Sequence, residues 1–157
     1  MMKILIDSSV LIEFEKGKNL LYSEIVEATI HHLDLELYLS GTVLNEYLYH
    51  FVGIFHGLSP RTIKEKSKIE EALAKELYKK TISPLHFLSD SAEIVDLVPA
   101  LMSKYNLLPS DAQILSICKI HNIKALASLD IDFTVACQSE SIQLINDKQT
   151  LYDFINK

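Results

Sequence analysis

No apolar stretch of the 157-residue chain reaches the roughly 18 residues that a membrane-spanning helix needs. A signal-peptide pattern is also missing, because Asp7 and Glu13 interrupt any apolar run near the N-terminus. A cytoplasmic protein with no membrane contact is the expectation. Cysteine is scarce: Cys118 and Cys137 lack the close spacing of metal ligands and read as small buried apolar residues. Arginine is scarcer still, with Arg61 the single example, so bidentate phosphate clamps are few. Positive charge does not dominate either. The net charge is −6, which excludes nucleic-acid binding by overall charge and leaves a local basic patch or a bound metal. There are no repeats, low-complexity tracts or Gly/Ser linkers. Apolar content of 48% and charged content of 23% are ordinary for a globular protein, and residues 1–157 suit one domain with a full core.

Strand-like and helix-like segments alternate. Lys3–Ile6 reads as a short buried strand. Helical spacing follows over Val10–Glu15 and Asn19–His32, then a strand over Glu36–Ser40. Thr42 is a candidate N-cap for a helix from Val43 to about Phe55, and Ser59-Pro60 matches the N-cap and N1 of another running to about Tyr78. The segment at about 51–80 thus reads as an inserted helical arm. Within it Glu65, Glu70, Glu71 and Glu76 interleave with lysines, as on a solvated helix face; a basic patch for RNA is the other reading. Pro84–Leu88 fits a strand or an extended connector. Ser89 or Asp90 would cap a helix to Tyr105 kinked at Pro99, and Pro109 opens a helix to His121. Strands at Ala125–Leu129 and Ser141–Ile145 precede a helix from Asp147 or Lys148 to Ile155. Strands separated by helices imply an α/β fold: a central, mainly parallel sheet with helices on both faces.

Five acids stand apart from the solvated ones. Asp7 ends the first strand, Glu46 lies one turn into the helix after the second, and Asp111 opens its helix in LPSDAQI. Asp130 and Asp132 follow a strand in SLDIDF. Each has a local explanation: Asp7 with Ser8 and Ser9 can cap a helix, Asp111 suits a helix start, and Asp130 and Asp132 can form a turn. All of them, however, fall at strand C-termini or in the first turns of the following helices, positions that converge on one rim of a wound parallel sheet. Like charges gathered there repel and raise one another's pKa unless a cation neutralises them. Carboxylate oxygens suit hard Mg²⁺ or Mn²⁺, and no His/Cys cluster suits zinc. Mg²⁺ held by carboxylates, waters and substrate phosphate points to phosphodiester chemistry.

The motifs DSSVLI at Asp7, TVLNE ending at Glu46, LPSDAQI around Asp111 and SLDIDF over Ser128–Phe133, in that order, resemble those of PIN domains, whose small members include the toxin ribonucleases of VapBC toxin–antitoxin pairs. The resemblance implies a three-layer α/β/α sandwich and a Mg²⁺- or Mn²⁺-dependent endoribonuclease. Carried onto this chain, Asp7, Glu46, Asp111 and Asp130 match the family's acidic quartet, with Asp132 a supporting acid. Ser8 or Ser9 matches the polar position after the first Asp, and Ser128 a position usually held by Thr or Ser. Metal on Asp7, Asp111 and Asp130 would acidify a water for in-line attack on RNA, with Glu46 coordinating or orienting. A homodimer and an antitoxin partner are implied too. The lysine-rich segment and the single arginine depart from a minimal toxin.

Other groups have plainer roles. His31 and His32 end a helix; His56 is structural, and so is His50, though at i+4 from Glu46 it can approach the site. Tyr47, Tyr49, Phe51 and Phe55, with Leu48 and Val52, are too apolar for a solvated face and suggest a groove or interface. Two rival functions remain: a non-catalytic PIN-like RNA-binding or scaffold domain, and a phosphoacceptor domain using Asp7. A haloacid-dehalogenase-like site would want an acid where Ser9 stands.

Overall fold

The structure, a computed structural model, describes residues 1–54 and 56–156; Phe55 and the C-terminal Lys157 lie outside the described residues. Five strands form the central sheet: β1 (Met2–Ile6), β2 (Leu35–Ser40), β3 (His86–Leu88), β4 (Ala125–Ala127) and β5 (Gln143–Ile145). Their order is β3-β2-β1-β4-β5 and every pair is parallel. β1 is central because it can be. Ile4, Leu5 and Ile6 are wholly buried, as a strand covered on both faces must be, and its register places Leu5 beside both Tyr38 and Leu126. The chain leaves β1 toward β2 on one side and returns through β4 on the other. The sheet therefore has its topological switch at the C-terminal end of β1, where such sheets open a crevice.

The helices pack around this frame: α1 (Ser8–Glu15), α2 (Leu21–His31), α3 (Gly41–Ile54), α4 (Pro60–Glu65), α5 (Ile69–Leu73), α6 (Leu77–Ile82), α7 (Ile94–Tyr105), α8 (Pro109–Ile120), α9 (Phe133–Ser139) and α10 (Lys148–Ile155). The α/β/α sandwich stands as expected from the sequence. Several details differ. α3 begins at Gly41, ahead of Thr42; the hydroxyl of Ser40, at the end of β2, accepts from the Val43 amide at 3.4 Å. A single helix to Tyr78 is not formed. Ser67 (φ 55°) and Glu76 (φ 50°) adopt left-handed backbone, which breaks the helical ladder and leaves α4, α5 and α6 as separate turns. Nothing in the composition of a Ser and a Glu announces this. These turns lie back on α3: Ile63 is fully buried and the Phe51 and Tyr78 rings meet at 5.8 Å. Their outer face carries exposed ion pairs, Arg61–Glu65 and Lys68–Glu71 among them. Gly53 makes the tight exit from α3, since a Cβ there would lie 2.5 Å from the Leu58 carbonyl oxygen.

α7 starts at Ile94 rather than after Ser89 or Asp90; the Asp90 carboxylate instead accepts from the Gln113 amide at 3.2 Å. α9 is an element with no counterpart in the sequence reading, although Phe133, Ala136 and Cys137 are its buried residues at helical spacing. Tyr47 and Phe51 do not line a groove or interface: both are core residues on the inner face of α3, and Tyr49 alone of the described aromatics in that run is largely exposed, at 57%. The helix reading through Phe55 falls partly outside the described residues. Cys118 and Cys137 are buried free thiols, as expected, and burial raises the pKa of both.

Candidate active site

The switch point collects strand ends. Asp7 follows β1, Ser40 ends β2 and Ser128 follows β4. The Asp7 amide donates to the Ala127 carbonyl at 2.9 Å, and the Ser128 amide to that of Ile145 at 3.0 Å. The parallel ladder thus extends one residue past the strands and fixes both side chains.

Asp7 serves two purposes. Its carboxylate caps α1, accepting from the Ser9 amide at 3.4 Å. The same Oδ2 accepts from the hydroxyls of Ser9 at 2.5 Å and Ser128 at 2.7 Å. Oδ1 has a long contact of 3.5 Å from Ser8 Oγ, which donates to Glu46 Oε2 at 2.7 Å. Capping and site-building are thus one arrangement. Asp7 is only 4% exposed, and burial pushes its carboxyl above the ordinary carboxylate range against the pull of Ser9 and Ser128.

Ser128 and Ser9 tie in the remaining acids. Ser128 Oγ accepts from the Asp130 amide at 3.1 Å, and Ser9 Oγ from the Leu129 amide at 3.0 Å. Asp130 Oδ1 accepts from the Asp132 amide at 2.9 Å, closing a turn before α9. The turn-forming role expected of Asp130 is therefore present alongside its place on the rim. Asp132 is exposed at the outer edge.

Asp111 is in the first turn of α8, which packs against α3 and so reaches Glu46. Its carboxyl is pushed up to about 6, first by desolvation and then by the negative charges of Asp130, Asp7, Glu46 and Asp132. All five acids singled out from the sequence share one electrostatic field, although Asp7 and Asp132 stand near opposite ends of the chain. The donors are carboxylate and hydroxyl oxygens, the set that fits a hard divalent cation. Among the described residues no three His, Cys, Asp or Glu side chains form a preassembled ion cage. His50 is exposed and shares an open groove of about 300 Å³ with Thr42, Asn45, Glu46, Tyr49 and Ser110. The i+4 spacing from Glu46 points to His50 in the sequence, and Asn45 is the neighbour of Glu46 on α3; Ser110 carries no chemical signal there, because only the packing of α8 beside α3 brings it to Glu46.

An acidic rim at the switch point of a wound parallel sheet is a site class suited to divalent metal and phosphate. The chain belongs to a family of that class: the PIN domain model matches residues 4–138. Ribonuclease VapC2 of Methanocaldococcus jannaschii is 28% identical over 131 residues, covering 83% of this chain and 87% of the relative. Among solved structures the fold is similar to VapBC2 from Rickettsia felis bound to a DNA fragment from their promoter. That match has a TM-score of 0.66 at 16% identity and covers 94% of this chain and 100% of the other. It is similar also to FitAcB from Neisseria gonorrhoeae, with a TM-score of 0.58 at 19% identity and coverage of 91% and 96%.

Proposed function

We propose that this chain is a metal-dependent endoribonuclease that hydrolyses phosphodiester bonds in RNA, and that it acts as the toxin of a toxin–antitoxin pair. The observation that carries the reading is the convergence of Asp7, Glu46, Asp130 and Asp132 on Asp111, tied together through Ser8 and Ser128 and close enough to raise the Asp111 pKa. A cation is the natural remedy for such repulsion. The curated relative named a ribonuclease supports RNA as substrate, and the VapBC2 structure supports an antitoxin partner. We read residues 1–157 as one domain and the protein as a homodimer.

Asp7, Glu46, Asp111 and Asp130 would hold Mg²⁺ or Mn²⁺, with Asp132 in support. When bound, the metal supplies positive charge that acidifies water and stabilises the phosphate in the transition state. The chain's own contribution is orientation. Ser9 and Ser128 fix Asp7 Oδ2, and Ser8 holds Glu46. Without metal, burial and the four other acids push the Asp111 carboxyl up to about 6; a bound cation would hold it ionised as a ligand.

End-labelled structured and single-stranded RNAs, incubated with wild type or Asp111→Asn in Mg²⁺, Mn²⁺ or EDTA, test this. Cleavage that needs metal and disappears in the variant is expected. Absence of both cleavage and Mn²⁺ binding in the folded wild type would replace the proposal with a non-catalytic RNA-binding domain.

A further inference from the structure

The groove beside Glu46 is not explained by metal binding. Thr42, Asn45, Glu46 and Tyr49 stand at i, i+3, i+4 and i+7, so they share one face of α3, and Ser110 at the start of α8 forms the opposite wall. At about 300 Å³ the groove is at the small end of ligand pockets. It opens from the acidic rim, since Glu46 belongs to both. Tyr49 is a large aromatic, 57% exposed, among polar neighbours. Its ring meets the His50 imidazole edge to face, with centroids 5.3 Å apart and planes at 88°. Such a pair uses at most one face of the tyrosine, and the other can receive a third ring.

Charge narrows what that ring belongs to. Among the described residues no lysine or arginine lines the groove, and Glu46 is in its wall. The single arginine, Arg61, is elsewhere on the surface and ion-paired with Glu65. A phosphate would gain nothing in this groove, whereas a neutral heterocycle would. We propose that Tyr49, braced by His50, is a stacking subsite for the unpaired base of a nucleotide flanking the scissile phosphate. The Asn45 amide, which offers both a donor and an acceptor, meets the base edge. This rests on the ribonuclease reading above. It also accounts for how a chain of net charge −6 could hold RNA: stacking is sequence-tolerant and needs no cationic side chain.

The test is fluorescence anisotropy with a fluorescein-labelled oligoadenylate about a dozen residues long, in Ca²⁺ buffer, on wild type, Tyr49→Phe and Tyr49→Ala. Because Tyr49 is on the surface, circular dichroism should give unchanged melting for both variants. Tyr49→Ala should weaken binding about ten- to a hundredfold, while Tyr49→Phe stays within about threefold of wild type. In cleavage assays the loss should fall on KM rather than kcat. Wild-type affinity in Tyr49→Ala overturns the subsite. So does a changed sedimentation coefficient with unchanged RNA affinity, which would assign this face to a protein contact. If the wild type cuts RNA while Tyr49→Ala behaves normally, the subsite alone falls. If the wild type neither binds nor cuts, the ribonuclease reading falls with it.

Discussion

Replacing Asp111 by Asn should stabilise the metal-free protein. Below about pH 3 the Asp111 carboxyl is largely protonated whether the chain is folded or not, so it exerts little destabilising effect. As pH rises through about 6, the folded state must ionise a group that burial and four neighbouring acids disfavour. Stability is thus present at low pH and lost as pH climbs from 3.8 toward about 6. At about 1.36 kcal/mol per pH unit the gap would be worth about 3 kcal/mol. Asp111 is only partly buried, and water and salt screen its neighbours, so about 1–1.5 kcal/mol is the realistic cost. For a chain of this length that corresponds to about 3–5 °C in Tm. Asn is nearly isosteric and uncharged, so it should recover this amount. Urea unfolding in EDTA from pH 4 to pH 8 would show the two proteins converging at the acid end and the Asp111→Asn variant ahead above about pH 6.5. Saturating Mn²⁺ should reverse the ranking, because a ligand bound only by the folded wild type stabilises it by mass action. A variant less stable than wild type in EDTA at pH 8, or a difference that does not change with pH, would refute the electrostatic account.

Two further substitutions probe the frame around the acids and a surface ion-pair cluster. Ser128→Ala removes a fully buried hydroxyl that donates to Asp7 and accepts from the Asp130 amide. It should cost about 1–3 kcal/mol in urea unfolding and lower kcat for RNA cleavage; wild-type values of both would show that Asp7 is held by other contacts. Glu140 accepts from Lys119, Tyr105 and Lys104, which hold its carboxyl down at about 2. Its contribution is therefore present above pH 4.5 and lost as pH falls toward 2. Glu140→Gln should lower the urea midpoint at pH 7, with the difference shrinking in acid; a constant difference would point to packing instead.

Local chemistry made much of this protein legible in its sequence. The Ile-Leu-Ile run of β1 reads as a buried strand, and alternation with helices implied a parallel sheet. The acids were readable because each stands where a strand ends or a helix begins, positions that topology sends to one rim. What the sequence left open depends on contacts distant in the chain. Whether Asp7 capped a helix or stood among other acids had no local answer; it caps α1, and the Ser128 hydroxyl, 121 residues away, ties the same carboxylate to the turn that carries Asp130. Tyr47 and Phe51 looked like an interface until α4–α6 folded over them, and the breaks at Ser67 and Glu76 arise from left-handed backbone that those residue types do not require. Residue type and periodicity determine which face of an element is apolar and where a carboxylate can sit. Only tertiary packing determines which neighbour covers that face and how far a carboxylate is desolvated. That is why Asp111 titrates near 6, while an equally ordinary aspartate at Asp147 is held below its usual range by the amide and hydroxyl of Thr150.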